Sequence, residues 1–164
     1  MAISGDVYKK IGRASAGAVS IVAAYANASA VPVGLTVSSF ATLSFEPPLV
    51  MFAIQHNADS YPALVSSKVF GVSLLNAAQS DIAQLFATKG PAKIANTSFD
   101  QGVTLRVPLI PGALAQVECL THQIVLSGDH AIIVGLVEDA RTYGGEPLLY
   151  FSRLYGRFAP VQQP

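Results

Sequence analysis

Two long runs of β-forming residues joined by a short turn constrain the fold most strongly. Residues 114–126 and 130–141 are rich in valine, isoleucine, leucine and threonine, and Ser127-Gly128-Asp129 between them has the chemistry of a tight turn. The pattern therefore predicts a long antiparallel hairpin that begins its second strand at His130.

Other runs predict further strands and only a few short helices. The additional strands are expected at residues 18–25, 31–37, 49–55, 69–75 and 147–151. Short helices are expected at residues 6–13 with Asp6 as cap, from Asp59 to Ser66 with Asp59 as cap, and from Ser80-Asp81 through Phe86. Asn27-Ala28-Ser29 has turn chemistry, and residues 90–111 look irregular. Many strands with few helices favour a closed or partly closed antiparallel barrel over a parallel sheet.

The composition indicates a partner for the surface. The chain has 164 residues, of which 51% are hydrophobic and only 12% are charged, whereas soluble domains average about 25% charged residues. We therefore expect part of the surface to be buried against a second copy, as a homodimer. The net charge is zero and no charge run occurs, so no nucleic-acid partner is expected.

Localisation and domain count follow from simpler features. Ser20, Asn27 and Pro32 interrupt the uncharged N-terminal stretch too often for a membrane helix of about 20 apolar residues. Cys119 is the only cysteine, which excludes an intrachain disulfide and fits a reducing compartment, so a cytoplasmic protein without a membrane partner is expected. With no repeat, low-complexity tract or linker, residues 1–164 are predicted to form a single domain.

Several familiar sites are unsupported by the sequence. It contains no G-x-G-x-x-G after a strand, no Walker A loop and no G-x-S-x-G elbow. Cys119 and His122 lie three residues apart on a predicted strand, so their side chains should point to opposite faces, and no metal site is expected.

Two segments are candidates for ligand binding. Residues 34–44 read Gly-Leu-Thr-Val-Ser-Ser-Phe-Ala-Thr-Leu-Ser, where a glycine permits close approach and hydroxyl groups can bind phosphate or ring oxygens. The alternative is an ordinary strand end rich in serine and threonine. Gly128-Asp129-His130 is the second candidate, since His130 can donate to a ligand near neutral pH. Its alternative is a surface histidine beside a hairpin turn.

Taken in order, these segments resemble the flavin reductase-like domain family over nearly the whole chain. The resemblance rests on residues 32–40, Ser44 through Glu46-Pro47-Pro48-Leu49-Val50, residues 70–75, Gln79, Phe86-Ala87, residues 112–115, Cys119, Gly128-Asp129-His130, Gly135 and Pro147-Leu148. The chain departs from the family pattern at residues 21–24, which read Ile-Val-Ala-Ala where Val-Val-Thr is common, and at Ser73, where asparagine is common.

The resemblance implies a mainly β fold, an FMN-binding split β-barrel with a few short helices, found usually as a homodimer. It also implies an NAD(P)H:flavin oxidoreductase that reduces FMN or FAD with NADH or NADPH and supplies reduced flavin to a partner monooxygenase. In such proteins the flavin carries the redox chemistry while the protein supplies binding and orientation. Two other classes remain open: a non-catalytic flavin carrier, and a reductase using bound flavin to reduce ferric iron or a corrinoid.

The resemblance also assigns site residues. It implies cofactor-binding roles for Gly34, Thr36, Ser38, Ser39, Ala53, Ile54, Gln55, Asp59, Ser60 and Phe86. It places His130 at the catalytic site near the nicotinamide, with Tyr150 and Arg153 helping to hold the dinucleotide. Lys89 or Lys93 would pair with a phosphate or be solvated, and Phe86 would lie beside the flavin or in a helix core. The sequence does not decide whether the flavin is FMN or FAD, or whether the reductant is NADH or NADPH.

Overall fold

The computed structural model describes residues 2–26 and 31–161. In this part of the chain the helices are α1 (Gly5–Ala14), α2 (Tyr61–Ser66), α3 (Ser80–Phe86) and α4 (Ala92–Ala95). The strands are β1 (Gly17–Ala18), β2 (Ser20–Tyr25), β3 (Pro32–Val37), β4 (Ala41–Ser44), β5 (Leu49–Gln55), β6 (Val69–Leu74), β7 (Asp100–Gln101), β8 (Pro108–Leu109), β9 (Ala115–Ser127), β10 (His130–Thr142), β11 (Leu148–Phe151) and β12 (Leu154–Arg157). None of these helices is long and apolar enough to cross a membrane.

The β9–β10 hairpin is the centre of a seven-stranded antiparallel sheet with the order β3-β2-β6-β9-β10-β5-β4. His130 pairs with Ser127, so Gly128 and Asp129 alone form the turn, and Gly128 takes the left-handed φ of 61° that glycine tolerates best. The predicted hairpin and the predicted mainly β fold are both confirmed.

The sheet curls until the segment after β3 meets β5. The Ser39 hydroxyl accepts a hydrogen bond from the backbone N–H of Ala53 at 2.9 Å and donates one to the Ala53 carbonyl at 3.2 Å. These two bonds join the ends of β3 and β5 across the barrel seam. The backbone and the small side chains of this seam form one surface of the barrel edge.

Strand β2 lies between two apolar clusters, which explains why it reads as a continuous apolar run. Val22 and Ala24 belong to the cluster enclosed by the main sheet, where Phe52 and Phe70 pack edge to face at 5.4 Å. Ile21, on the opposite face of β2, belongs to a second cluster beneath α3 and β11. The side chains of a strand alternate between faces, so only a strand covered on both sides stays apolar throughout.

The structure corrects several expected boundaries. Helix α1 is capped by Ser4, whose hydroxyl accepts from the Val7 N–H at 3.4 Å, rather than by Asp6. The residue before α2 is Ser60 rather than Asp59, and Gln79 precedes α3. Residues 90–111 contain α4, β7 and β8, and strands β4 and β12 were not predicted. The predicted turn at Asn27-Ala28-Ser29 lies outside the described residues.

The buried thiol of Cys119 leads to a first testable prediction. Burial, with a smaller contribution from neighbouring Glu118, raises the pKa of Cys119 to about 12. Since the thiolate is the reactive form, only about one thiol in ten thousand is ionised at pH 8. We expect a disulfide reagent to leave the native protein unmodified at pH 8 and to modify one thiol per chain in denaturant. Equal rates in the two states would contradict this placement.

Candidate functional site

A pocket of about 400 Å³ opens where the ends of β3 and β5 meet the segments that begin α2 and follow α3. Chain order alone does not bring these segments together; the curl of the sheet and the β3–β5 seam do. Ten of the predicted residues line this main pocket: Thr36, Ser38, Ser39, Ala53, Ile54, Gln55, Asp59, Ser60, Phe86 and His130. Its volume falls in the range of about 300–1,000 Å³ usual for small-molecule sites.

One end of the main pocket is buried and polar. Ser60 is 2% exposed and its hydroxyl has no hydrogen-bond partner among the described residues. Lys93 is 7% exposed, and its ammonium donates to the Thr88 carbonyl at 3.0 Å. An ammonium has three donors, so Lys93 can still serve an anion. Burial lowers the pKa of Lys93, and the Asp59 carboxylate partly opposes that shift.

Asp59 fixes the segment that carries Lys93. Its carboxylate accepts a hydrogen bond from the Gly90 N–H at 2.8 Å, and Gly90 has a φ of 95° that favours glycine. The predicted role of Asp59 as a helix cap was therefore wrong. Helix α2 has only six residues, so the dipole at its N-terminus is a weak source of phosphate binding.

The three hydroxyl side chains at and just after the end of β3 differ in whether they already make hydrogen bonds within the protein. Thr36 donates to the Ala83 carbonyl at 2.6 Å and so anchors α3 to the sheet. Ser39 holds the β3–β5 seam. Ser38 is exposed at the pocket wall and has no hydrogen bond within residues 2–26 and 31–161. Among the three, Ser38 is therefore the hydroxyl available to a ligand.

His130 begins β10 and has a carboxylate beside it. Its Nδ1 lies 2.6 Å from Asp129 Oδ1. The hydrogen bond and charge of His130, and more weakly the charge of His56, lower the pKa of Asp129, so this carboxylate is ionised at neutral pH. An ionised acceptor places the proton on Nδ1 and leaves Nε2 for a ligand. The imidazole of His130 is 39% exposed, so a ligand can reach it.

Three predicted residues lie outside the main pocket. Gly34 is buried, and a Cβ there would meet the Val22 carbonyl at 2.8 Å and the Phe86 ring at 3.3 Å, so this glycine permits close packing of β3. Tyr150 and Arg153 line a separate pocket of about 300 Å³, which shares the wall at residues 36–38 with the main pocket. Tyr150 packs on Tyr155 at 5.4 Å in this tyrosine pocket.

The aromatic and basic candidates are also placed. Phe86 is 1% exposed and packs on Phe99 at 6.0 Å, and its ring reaches the main pocket, so it is both core and wall. Lys89 and Lys93 both line the pocket, but only Lys93 is buried. Sequence reasoning missed the Asp59–Gly90 bond and the Thr88 carbonyl that position Lys93. The only signal was Gly90 itself, which was read as part of an irregular stretch.

Comparison with known proteins assigns the family. The sequence model of the flavin reductase like domain matches residues 12–159. The chain belongs to this family. It is 39% identical over 125 residues to the reductase component of 4-hydroxyphenylacetate 3-monooxygenase from Thermus thermophilus, covering 76% of this chain and 78% of that protein. It is 36% identical over 130 residues to the FMN reductase (NADH) SmoA from Agrobacterium fabrum, covering 78% and 72%.

Solved structures of flavin reductases show the same fold. The NADH:FAD oxidoreductase SgcE6 from Streptomyces globisporus matches with a TM-score of 0.88 and 28% identity over 99% of both chains. That reductase has also been solved in complex with NAD and FAD fragments. The flavin reductase BorF of a bacterial two-component tryptophan halogenase matches with a TM-score of 0.85 and 27% identity, covering 96% of this chain and all of BorF. The predicted split-barrel fold is thus confirmed.

Proposed function

We propose that this chain is an NAD(P)H:flavin oxidoreductase that reduces a flavin nucleotide for a partner monooxygenase. The observation that carries the proposal is the content of the main pocket. It brings the accessible imidazole of His130 into the same 400 Å³ space as the buried ammonium of Lys93 and the unpartnered hydroxyl of Ser60.

The donors and walls of the pocket fit a flavin nucleotide. Ser60 and Lys93 supply a hydroxyl and a charged donor for a phosphate, at the buried end where an anion without partners would be costly. Small side chains at Ser38 and Ala53, with apolar contact from Phe86, leave a wall suited to a planar ring. Ser20 and Ser60 both have buried hydroxyls without a partner among the described residues, but only Ser60 lines the main pocket, where a ligand can satisfy it.

The chain's own contribution to catalysis is binding and orientation. When bound, the flavin supplies the hydride acceptor. His130 holds the nicotinamide end through Nε2, while Asp129 keeps its imidazole in one tautomer and orientation. Lys93 and Ser60 would hold the phosphate, and the residues of the β3–β5 seam would line the ring. No side chain is required to transfer a proton.

Assembly and context extend the proposal. We infer a single domain that functions as a cytoplasmic homodimer. The dimer is supported by α1, which has no buried residue although its apolar side chains Val7 and Ile11 are 46% and 57% exposed. The monooxygenase partner is supported by the likeness to the reductase component of 4-hydroxyphenylacetate 3-monooxygenase, of which this chain covers 78%.

Oxidation of the pyridine nucleotide tests the function directly. The absorbance of NADH or NADPH is followed with FMN or FAD added in turn to the purified protein. Oxidation that rises and saturates with added flavin is expected. Flavin binding without oxidation in any pairing would favour the carrier, and tightly bound stoichiometric flavin that reduces ferric iron or a corrinoid would favour the third class.

Replacement of His130 tests the nicotinamide assignment. We expect His130→Ala to raise KM for the pyridine nucleotide about tenfold, the effect of losing one hydrogen bond at the pocket. The dissociation constant for flavin should change less than twofold. His122→Ala is the matched control, since His122 is exposed on β9 outside the main pocket. Weaker flavin binding with an unchanged KM would contradict the assignment.

A further inference from the structure

A second cavity adjoins the buried polar end of the main pocket. This apolar groove, of about 490 Å³, is lined by residues 31–34 of the β3 segment and by Gly90, Pro91, Ile94 and Ala95 around α4. It also shares Asp59, Ser60 and Lys93 with the main pocket. The two cavities therefore meet at the groups that we assign to phosphate binding.

The junction has the chemistry of a phosphate bridge between two organic groups. The Lys93 ammonium uses one donor on the Thr88 carbonyl, and the Ser60 hydroxyl has no partner in the described chain. The Asp59 carboxylate is engaged by the Gly90 N–H at 2.8 Å and balances part of the lysine's charge. Polar donors thus stand between one pocket that suits a flavin ring and a groove whose other walls are apolar.

We propose that the apolar groove is an adenosine subsite, so that this chain prefers FAD to FMN. The inference rests on the proposed flavin site. A mononucleotide would end at Ser60 and Lys93 and leave the groove empty, whereas the pyrophosphate of FAD crosses this junction. Val33, Pro91 and Ile94 then offer apolar contact to the adenine, whose burial adds binding free energy in proportion to the area covered.

NADH also contains an adenosine joined through a pyrophosphate, and the positions of the remaining candidates favour FAD as its source here. His130 lines the main pocket but not the groove. Tyr150 and Arg153 lie in the tyrosine pocket, which adjoins the main pocket through residues 36–38 and shares no residue with the groove. The predicted nicotinamide-nucleotide residues are therefore separate from the groove, while the flavin phosphate residues border it.

Binding measurements without turnover test the subsite. Dissociation constants of FMN and FAD are measured by flavin fluorescence for the wild type, for Ala95→Trp and for Ala92→Trp. Ala95 lines the groove at the end of α4, whereas Ala92 is an exposed residue at the start of the same helix and does not line it. We expect the wild type to bind FAD at least about tenfold more tightly than FMN. Ala95→Trp should abolish that preference by weakening FAD alone, and Ala92→Trp should retain it.

Each other outcome overturns the subsite. Equal affinities of the wild type for FMN and FAD would show that the groove contributes nothing to FAD binding. This comparison uses the wild type alone. The same conclusion follows if Ala95→Trp keeps its FMN affinity, which shows that it is folded, and also keeps the FAD preference. If Ala95→Trp instead raises the KM for NADH with FMN as acceptor and leaves the FAD affinity unchanged, the groove belongs to the pyridine nucleotide. If neither flavin binds to the wild type, the proposed function itself fails.

Discussion

Replacing Lys93 by methionine is expected to weaken FMN binding by about 10- to 100-fold. Hydrogen bonds to charged groups contribute about 1.5–3 kcal/mol, and 1.4 kcal/mol corresponds to a factor of ten. Lys93 should lie toward the upper end of this range because it is 7% exposed, so solvent screens its charge little. Methionine keeps the length and apolar stem of lysine while removing the ammonium.

Two controls separate phosphate binding from a structural effect. Riboflavin lacks the phosphate, so its affinity should be the same in Lys93→Met and in the wild type. Lys89→Met removes a lysine from the rim of the same pocket, where the side chain is exposed and an ion pair contributes about 0–1 kcal/mol. We expect it to change the FMN dissociation constant less than threefold. Loss of riboflavin binding in Lys93→Met would instead mean that the Thr88 contact merely supports the pocket.

The fold was readable wherever the pattern was local or strongly periodic. The β9–β10 hairpin followed from two long β-forming runs and a Gly-Asp turn, and β5 followed from the apolar run at residues 49–55. Strand β12 was missed because its residues 154–157 are mostly exposed and present no alternation. The caps were misplaced by one or two residues because several polar side chains near each helix start could serve equally well.

The site was readable as a set of residues but not as an arrangement. The resemblance named ten residues that the structure brings into one pocket. It did not reveal that the hydroxyl groups of Thr36 and Ser39 are already hydrogen-bonded to the backbone of Ala83 and Ala53. Nor could it separate the buried Lys93 from the exposed Lys89, or reveal the bond between Asp59 and Gly90, 31 residues apart. Long-range contacts of this kind leave no periodic signal in a single sequence.

A buried carboxylate outside the main pocket should matter greatly for stability. Glu118 is 3% exposed, and its two oxygens accept hydrogen bonds from the backbone N–H groups of Val103 at 2.7 Å, Thr104 at 3.3 Å and Leu105 at 2.5 Å. This carboxylate therefore holds residues 103–105, which connect β7 and β8. We expect Glu118→Gln to lower the free energy of unfolding by about 3 kcal/mol, because an amide N–H₂ would face N–H donors that have no other acceptor.

Denaturant unfolding of Glu118→Gln beside Glu138→Gln measures this contribution. Glu138 lies on the adjacent strand β10, and its exposed side chain makes no hydrogen bond within the described chain, so its amide variant should unfold at the wild-type midpoint. The Glu118 contacts share no residue with the main pocket, so flavin affinity measured well below the midpoint should be unchanged in both variants. If Glu118→Gln has the same denaturant midpoint as Glu138→Gln, the N–H groups of residues 103–105 must be satisfied by water. In that case the carboxylate does not hold this loop. If flavin affinity falls with stability, the loop and the pocket are instead coupled through the sheet.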